Sequence, residues 1–427
     1  MKKILLSAYA ISPYKGSEYG AAWNTILNLS KNYKLWVLYG ISDEHMGDTY
    51  SLKNYLKDNT IPNIEFIEIK ATTSALLINK FNKIGLSWLF YWAYYLWQKT
   101  AYKVAKRIVF ENGIEIIHQL GPIGFREPGF LWKLNKPFVW GPIGGTVKID
   151  NQLLKGKSIK SNLLFRSKNI INWYQLTYSS RVRQAINRAN VLIAATSDDQ
   201  RNINKYYSAF SYLLSEQGPM PVDELSNNRF STLDDCFEIV WCGTLIERKN
   251  LQLLLRALSF VERKKWKLHV VGEGPLASSL KELAVALKIN TQIEWYGFVE
   301  RKEALRIMAN AHLHVICSIT EGNPSVMFEA LSYGVPTLTL NHSGMRDVLC
   351  EDCSIKIPVD KQRIMLETIV SKINYLLDNP TVLHQLSRST IACSKKHSWS
   401  NRLSFLDQLY TEAEIKWSTS ESSKKSI

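Results

Sequence analysis

The sequence predicts an α/β protein with two domains in series, each built on a parallel sheet. Two observations predict this class: short apolar runs alternate with longer helical patterns, and the alternation stops near Glu216 and then restarts. The chain has 427 residues, more than one ordinary core needs. Its 46% hydrophobic and 21% charged residues are typical of a globular protein.

The first half contains six short apolar runs that predict strands, in the order KILLSA, KLWVLYG, IEFIEI, IEIIHQL, PFVWG and VLIAAT. Helical patterns such as residues 20–30 and 86–109 lie between them. The first run follows Lys2 and Lys3 and resembles a signal peptide, but it is shorter than the usual apolar core of such a peptide. We therefore expect a buried first strand.

The second half repeats the alternation, with predicted strands FEIVWCG, KLHVVGEG, TQIEWYG, HLHVICS and PTLTL. We predict an N-terminal domain over residues 1–215, a linker over 216–235 and a C-terminal domain over 236–395. A last helix should cover 396–417, followed by a frayed tail over 418–427. A binding cleft is expected between the domains, at the carboxyl ends of the strands.

The net charge of +15 indicates polyanionic partners such as phosphorylated substrates or anionic lipid. Between Lys148 and Lys168 there are six cationic residues and one acid, Asp150, which is typical of a solvated loop or of a binding surface. The aromatic run 86–97 is too short to span a bilayer and leads into further cations, so it is either buried or lies on a membrane surface. Aromatic and basic residues are not interleaved, so we expect no nucleic acid partner.

The six cysteines all lie beyond residue 235. Cys350 and Cys353 form a single C-x-x-C pair, which alone is a weak metal or redox signal. We therefore expect reduced thiols and no metal site.

The most informative stretch is residues 318–329, SITEGNPSVMFE, which follows a predicted strand. Asn323 is a suitable N-cap and Pro324 suits the first helical position, so the free amides of Ser325 and Val326 should form an anion site suited to a diphosphate. Carboxylates accept paired hydrogen bonds from vicinal hydroxyls, so two acids should hold sugars, namely Glu321 and Glu329.

Other candidates follow predicted strands. Gly243 allows close backbone approach, and the cations Arg248 and Lys249 could neutralise a diphosphate, although such a pair also occurs at plain surfaces. The VGEGP turn at 271–275 is a weak signal by itself. In the first half, Gly16 could approach a phosphate or an acceptor, and His118 is expected to end a strand, where it is either structural or part of the site.

Together these residues resemble the retaining nucleotide-sugar glycosyltransferases of family 4, sometimes called group 1. Three ordered motifs carry the resemblance: E-x7-E, G-x-L-x-x-x-K-N and V-G-x-G-P, at Glu321 and Glu329, at Gly243, Leu245, Lys249 and Asn250, and at 271–275. Many members have Arg directly after the glycine that corresponds to Gly243, where this chain has Thr244.

The resemblance implies a GT-B fold, with two Rossmann-like domains facing across a cleft, a last helix that crosses back to the first domain, and no metal or other cofactor. It also implies roles for particular residues. Glu321 would hold the donor sugar and Glu329 the ribose, while Lys249 and Arg248 neutralise the diphosphate. His118 would reach the donor sugar, and Gly16 the phosphate or the acceptor.

The expected activity is transfer of a sugar from a UDP- or GDP-linked donor to a glycan with retention of configuration. The acceptor is expected to be a lipid-linked surface glycan, and the location the cytoplasm, peripheral to the inner face of the membrane. Two alternatives stay open: an epimerase or phosphorylase of the same fold, and a basic binding protein without activity.

Overall fold

The computed structural model describes the chain in six stretches: residues 1–41, 50–82, 89–220, 230, 236–262 and 265–425. The fold consists of two compact units. The first comprises Met1–Val147, Asn172–Gln217 and Trp399–Ile427. The second comprises Lys148–Ile171 and Gly218–Ser398.

The first unit is built on a seven-stranded parallel sheet in the order β3-β2-β1-β4-β5-β6-β7. Its strands are β1 (Lys2–Ala8), β2 (Tyr33–Ile41), β3 (Ile64–Lys70), β4 (Ile116–Gly121), β5 (Phe138–Ile143), β6 (Val191–Ala194) and β7 (Tyr212–Leu213). The side chains of Ile4, Leu5 and Leu6 are buried at the centre of this sheet. The predicted buried first strand is therefore confirmed.

Helices connect these strands as parallel pairing requires. They are α1 (Ser17–Leu29), α2 (Tyr50–Asp58), α3 (Thr73–Asn82), α4 (Phe90–Asn112), α5 (Asn151–Leu154), α6 (Ile159–Tyr178), α7 (Ser180–Arg188) and α8 (Ser197–Tyr207). Helix α4 buries Ala93, Tyr94 and Trp97, whereas Trp92 is exposed. The described part of the aromatic run is thus largely core, and residues 86–88 lie outside the described residues.

The second unit is built on a six-stranded parallel sheet in the order β10-β9-β8-β11-β12-β13. Its strands are β8 (Phe237–Cys242), β9 (Trp266–Val271), β10 (Ile293–Gly297), β11 (Leu313–Ile316), β12 (Thr337–Leu340) and β13 (Ser354–Ile357). Its helices are α9 (Leu251–Leu258), α10 (Ala277–Ala286), α11 (Arg301–Asn310), α12 (Ser325–Ser332), α13 (Ser343–Val348), α14 (Gln362–Asp378) and α15 (Pro380–Lys396). The predicted class, two α/β domains with parallel sheets, is confirmed.

The boundaries differ from the predicted ones in two places. Residues 148–171, which the sequence assigned to the first domain, belong to the second unit, because Ile149, Leu153 and Phe165 are part of its hydrophobic core. The last helix, α16 (Trp399–Lys425), is longer than expected and includes most of the predicted frayed tail. Of the predicted linker, residues 221–229 and 231–235 lie outside the described residues.

Helix α16 is part of the first unit. Leu406, Leu409 and Tyr410 lie in the core beneath β1 and β4, and Arg402 donates to the Ser215 carbonyl oxygen at 2.6 Å. Hydrophobic packing and the buried Arg402 guanidinium therefore hold the first half of α16 against the first unit. Within the described parts of the chain, no helix has both the length and the apolar content that a bilayer crossing needs.

Candidate functional site: the switch point of the second sheet

The second sheet changes its winding direction between β8 and β11. From β8 the chain passes to β9 and β10 on one side, and it then returns to β11 on the other side of β8. The connections after β8 and β11 therefore leave in opposite directions, which opens a crevice at the carboxyl edge of the sheet. The residues after these two strands, 243–250 and 317–324, form this crevice.

Glycines let the loop after β8 contact the loop after β9 through backbone atoms. The Gly243 amide donates to the Val271 carbonyl oxygen at 2.9 Å. Gly272 has a φ of +136°, and a Cβ atom there would lie 2.0 Å from the Gly243 carbonyl oxygen. At Gly274 a Cβ atom would meet the Leu245 carbonyl oxygen at 2.5 Å. The glycines that the sequence assigned to a turn are thus needed for close loop packing.

The structure brings Arg248, Lys249 and Glu321 together in this crevice. The Oε1 atom of Glu321 lies 2.5 Å from Arg248 Nη1 and 2.7 Å from Lys249 Nζ. Arg248 Nη1 also donates to the Thr320 carbonyl oxygen at 3.1 Å. Burial by itself raises the pKa of Glu321, but Lys249 and Arg248 outweigh it and hold this pKa below its usual value. The site therefore holds an ionised carboxylate and two cations.

Helix α12 begins at Ser325, four residues after Glu321. Its first amides, those of Ser325 and Val326, have no acceptor within the helix, so they are oriented to bind an anion. Pro324 occupies the N-cap position and its carbonyl oxygen accepts from the Met327 amide at 3.0 Å. The prediction that Asn323 is the cap is therefore wrong. Asn323 is instead a buried residue of the loop before it.

Glu329 lies on the second turn of α12, and its side chain is mostly buried. Arg301, the first residue of α11, donates to Glu329 Oε1 at 2.8 Å. Burial raises the pKa of Glu329 and Arg301 opposes this rise. The charge of Glu329 in turn contributes to the raised pKa of the Cys242 thiol, which places this carboxyl close to the end of β8. Glu329 is therefore a buried, ion-paired residue and not a solvated helix residue, and its predicted contact with a ligand stays a prediction.

Sequence reasoning missed three residues around this crevice: Arg301, Lys157 and His314. Lys157 was counted in a basic run, but its ammonium is buried and donates to the Asn250 side chain directly after Lys249. Burial lowers its pKa to about 8. Only the position of Arg301 directly after a predicted strand and loop could have indicated its role.

His314 lies on β11 within the sheet and is fully buried. Its Nδ1 atom lies 3.1 Å from Thr337 Oγ1. Burial, followed by the charge of Lys249, lowers its pKa to about 3. A neutral imidazole therefore lies near the Lys249 ammonium and adds no charge of its own to the site.

The first sheet has its own switch point, between β1 and β4. Gly16 forms the N-cap of α1 in the loop after β1, and the predicted approach of its amide to a phosphate or an acceptor stays a prediction. His118 lies inside β4 rather than at its end, because the strand continues to Gly121. Both belong to the first unit, whereas the other predicted site residues belong to the second.

Both ring nitrogens of His118 are hydrogen-bonded within the first unit. Nε2 lies 2.7 Å from the Gly141 carbonyl oxygen, which can only accept, so Nε2 carries the proton. Nδ1 then accepts from the Tyr410 hydroxyl at 2.8 Å. Burial lowers the pKa of His118 to about 4. The neutral, fully buried ring thus ties α16 to the sheet, and the predicted direct contact of His118 with the donor sugar stays a prediction.

Three of the six cysteines, Cys350, Cys353 and Cys393, form a cluster apart from this crevice. Cys350 forms a disulfide with Cys393 on α15, and the Sγ atoms of these two and of Cys353 lie within 4.8 Å of one another. The expectation of reduced thiols is therefore wrong for this pair. Among the described residues this is the one group of three ligands that could hold a metal ion, and the disulfide occupies two of its three sulfurs.

Residues 227–392 match the model of the family described as glycosyl transferases group 1. Over 108 residues, 25% of this chain and 30% of the relative, the sequence is 31% identical to the lipopolysaccharide 1,6-galactosyltransferase of Escherichia coli (strain K12). The first curated relatives align over 30% to 45% of their own length, so the chain spans less than half of each.

Solved structures share the fold over nearly the whole chain. Sucrose-phosphate synthase from Thermosynechococcus elongatus superposes with a TM-score of 0.65 at 12% identity, covering 96% of this chain and 99% of that one. The Anabaena protein HepE, solved in complex with UDP, superposes with a TM-score of 0.61 at 14% identity, covering 96% and 100%. At these identities the likeness establishes the fold alone, two Rossmann-like domains of the GT-B type.

Proposed function

We propose that this chain, whose residues 227–392 match the model of the glycosyl transferases group 1 family, transfers a sugar from a nucleotide-diphosphate donor to a glycan acceptor with retention of configuration. One observation carries the proposal: a buried carboxylate with two cations lies at the switch point of the second sheet, four residues before a helix N-terminus. Such a site offers positive charge to a diphosphate and an acceptor to sugar hydroxyls.

The two carboxylate oxygens of Glu321 have different partners in this proposal: one holds the cations and the other holds the sugar. Both ion pairs are made to Oε1, so in the described part of the chain Oε2 is the oxygen that can accept from ligand hydroxyls. Lys249 and Arg248 hold the carboxylate in place while their remaining N–H groups face the diphosphate. Glu329 then accepts from the ribose hydroxyls, and Arg301 favours its ionised form against the opposing effect of burial. HepE, of the same fold, binds UDP, which supports a nucleotide donor.

The proposed reaction breaks the bond between the anomeric carbon and the leaving phosphate oxygen. An acceptor hydroxyl oxygen forms the new bond on the same face, and its proton passes to the departing diphosphate. Negative charge therefore grows on that diphosphate in the transition state, where Lys249, Arg248 and the Ser325 amide stabilise it. Both nitrogens of the His118 ring are hydrogen-bonded within the first unit, so we assign it no proton transfer in this step.

We further propose that the charge of Lys249 and Arg248 replaces a metal ion. Activity should then persist after exhaustive treatment with EDTA. Full loss of activity with EDTA, restored by Mg²⁺ or Mn²⁺, would contradict this part of the proposal.

The acceptor is proposed to be a lipid-linked surface glycan, handled on the cytoplasmic face of a membrane. The match to a lipopolysaccharide galactosyltransferase supports a surface glycan, and the net charge of +15 suits an anionic surface. Nucleic acid is not expected to compete for this surface, which filter binding to DNA and RNA can check.

The test is a thermal-shift panel of UDP, GDP and ADP sugars, followed by product analysis with and without glycan acceptors. A ligand at about 100 times its Kd stabilises the folded protein by about 2.7 kcal/mol, which is readily measured. We expect one nucleotide class to stabilise the chain and glycoside to form only with acceptor. Product formed without acceptor would indicate an epimerase, and no stabilisation by any nucleotide sugar would refute the proposal.

A further inference from the structure

Helix α6 has an exposed apolar face that the donor site does not explain. Eight of its large apolar side chains are 52% to 90% exposed, namely Ile159, Leu163, Leu164, Ile170, Ile171, Trp173, Tyr174 and Tyr178. Most single exposed apolar residues need no explanation, but a cluster of this size marks an interaction surface.

Helical geometry places these residues on one side. Ile159, Leu163, Ile170 and Tyr174 follow one another at spacings of four, seven and four, which keeps them on one stripe. At 100° per residue the other four widen this stripe to about half of the helix circumference. We call these eight residues the α6 apolar face.

The opposite side of α6 anchors the helix to the protein. Phe165 and Leu176 are buried in hydrophobic cores, and the Asn172 side chain donates from Nδ2 to the Gly145 carbonyl oxygen at 3.3 Å. The helix is thus held by one side, and its apolar face is not the side that packs against the rest of the protein. An extended apolar stripe on an anchored helix is suited to lie flat on a partner.

The charge around this face selects the kind of partner. Residues 151–197 contain eight Lys and Arg and no Asp or Glu. Three exposed cations lie on the helix itself: Lys160 within the stripe, and Arg166 and Lys168 at its two borders. Long cationic side chains at such positions can reach lipid phosphates while apolar neighbours enter the interface.

We infer that the α6 apolar face docks onto the surface of a bilayer that contains anionic lipid, with the helix axis parallel to the membrane. Twenty residues correspond to about 30 Å of helix, and tryptophan and tyrosine are side chains that favour the membrane interface. This inference deepens the proposed function, because it names the surface that would hold the enzyme beside a lipid-linked acceptor. It does not depend on which nucleotide sugar is the donor.

The test uses the full chain and vesicles of phosphatidylcholine with or without about 30 mol% phosphatidylglycerol, in a flotation assay. The variant L163Q/I170Q/Y174Q changes only exposed side chains of the face. The matched control F110Q/V285Q/I415Q changes three equally exposed apolar residues on other helices. We expect the face variant to lose at least about tenfold in partitioning to anionic vesicles, and the control to bind like the unaltered chain.

The charge component has its own test. The variant K160Q/R166Q should lose about fivefold per cation in binding to anionic vesicles, with little change on neutral ones, and its binding should depend less on salt. Unaltered melting temperatures and unaltered stabilisation by the donor nucleotide would show that these variants stay folded. If the unaltered chain binds no donor nucleotide, the proposed function fails, whatever the chain does with vesicles.

Two results would overturn the inference. One is a face variant that floats with anionic vesicles as well as the unaltered chain does. The other is a chain that does not bind vesicles but is a dimer by light scattering, while the face variant is a monomer. The α6 apolar face would then bind a second copy of the chain.

Discussion

Replacing Lys249 by methionine tests the central electrostatic argument. Methionine keeps most of the length and apolar stem of lysine but removes the ammonium, which lies 2.7 Å from Glu321 Oε1. The Lys249 side chain is only 13% exposed, so water cannot readily replace the lost charge. The loss should therefore resemble removal of a buried oxyanion donor, about 100- to 1,000-fold in kcat, or roughly 3–4 kcal/mol.

The structural cost of this change should be smaller and separable. Glu321 keeps its contact with Arg248 at 2.5 Å, so the folded state loses one charge-assisted hydrogen bond, which contributes about 1.5–3 kcal/mol. Chemical denaturation measures this loss. Activity should be measured far below the denaturation midpoint, as the rate of nucleoside diphosphate release with the donor that gives the largest thermal shift.

The matched control is Lys267→Met, which breaks the 2.5 Å contact with Glu294 on exposed β-strand positions of the same unit. This variant should keep its turnover. The affinity for the free nucleoside diphosphate of that donor should fall less in Lys249→Met than kcat does, because the charge grows only as the bond breaks. Unchanged turnover in Lys249→Met, or a loss confined to KM, would refute a transition-state role for this ammonium.

Three further predictions concern the framework of the site. Arg301→Met should lower the free energy of unfolding by about 1–3 kcal/mol, because the buried Glu329 carboxyl loses a cation 2.8 Å away, and equal stability in urea would contradict this. Gly274→Ala should destabilise the second unit by about 1–3 kcal/mol, because its Cβ would meet backbone atoms at 2.5–2.8 Å, whereas Gly124→Ala, with nothing within 4 Å, should melt like the unaltered chain. His314 has a folded pKa of about 3 against 6.5 when unfolded, so its contribution is complete above about pH 6.5 and is lost as the pH falls towards 3. At about pH 5 this group should cost about 2 kcal/mol, and His314→Gln should reduce the pH dependence of unfolding by that amount in denaturant titrations.

Local patterns carried much of the fold and part of the site. The apolar runs predicted strands of both sheets, because alternation of strand and helix is a property of neighbouring residues. The E-x7-E spacing correctly placed Glu321 before a helix and Glu329 on its second turn, since both positions depend on one short segment. The glycine turns at 243 and 272–274 were likewise predicted from short motifs that follow predicted strands.

Long-range packing decided what the sequence could not. Residues 148–171 belong to the second unit because their apolar side chains enter its core, and this buries Lys157 within a run that looks solvated. The family resemblance assigned His118 to the donor sugar, yet both its nitrogens are hydrogen-bonded within the first unit, to Tyr410, 292 residues away, and to the Gly141 carbonyl oxygen.

The sequence by itself thus determined that two parallel sheets form and that acids, cations and a helix start follow their strands. The tertiary structure decided which of these groups meet, which are buried, and which side of α6 is left exposed. The physical reason is that strand and helix periodicity is set within a few residues, whereas burial and ion pairing depend on segments brought together only by folding.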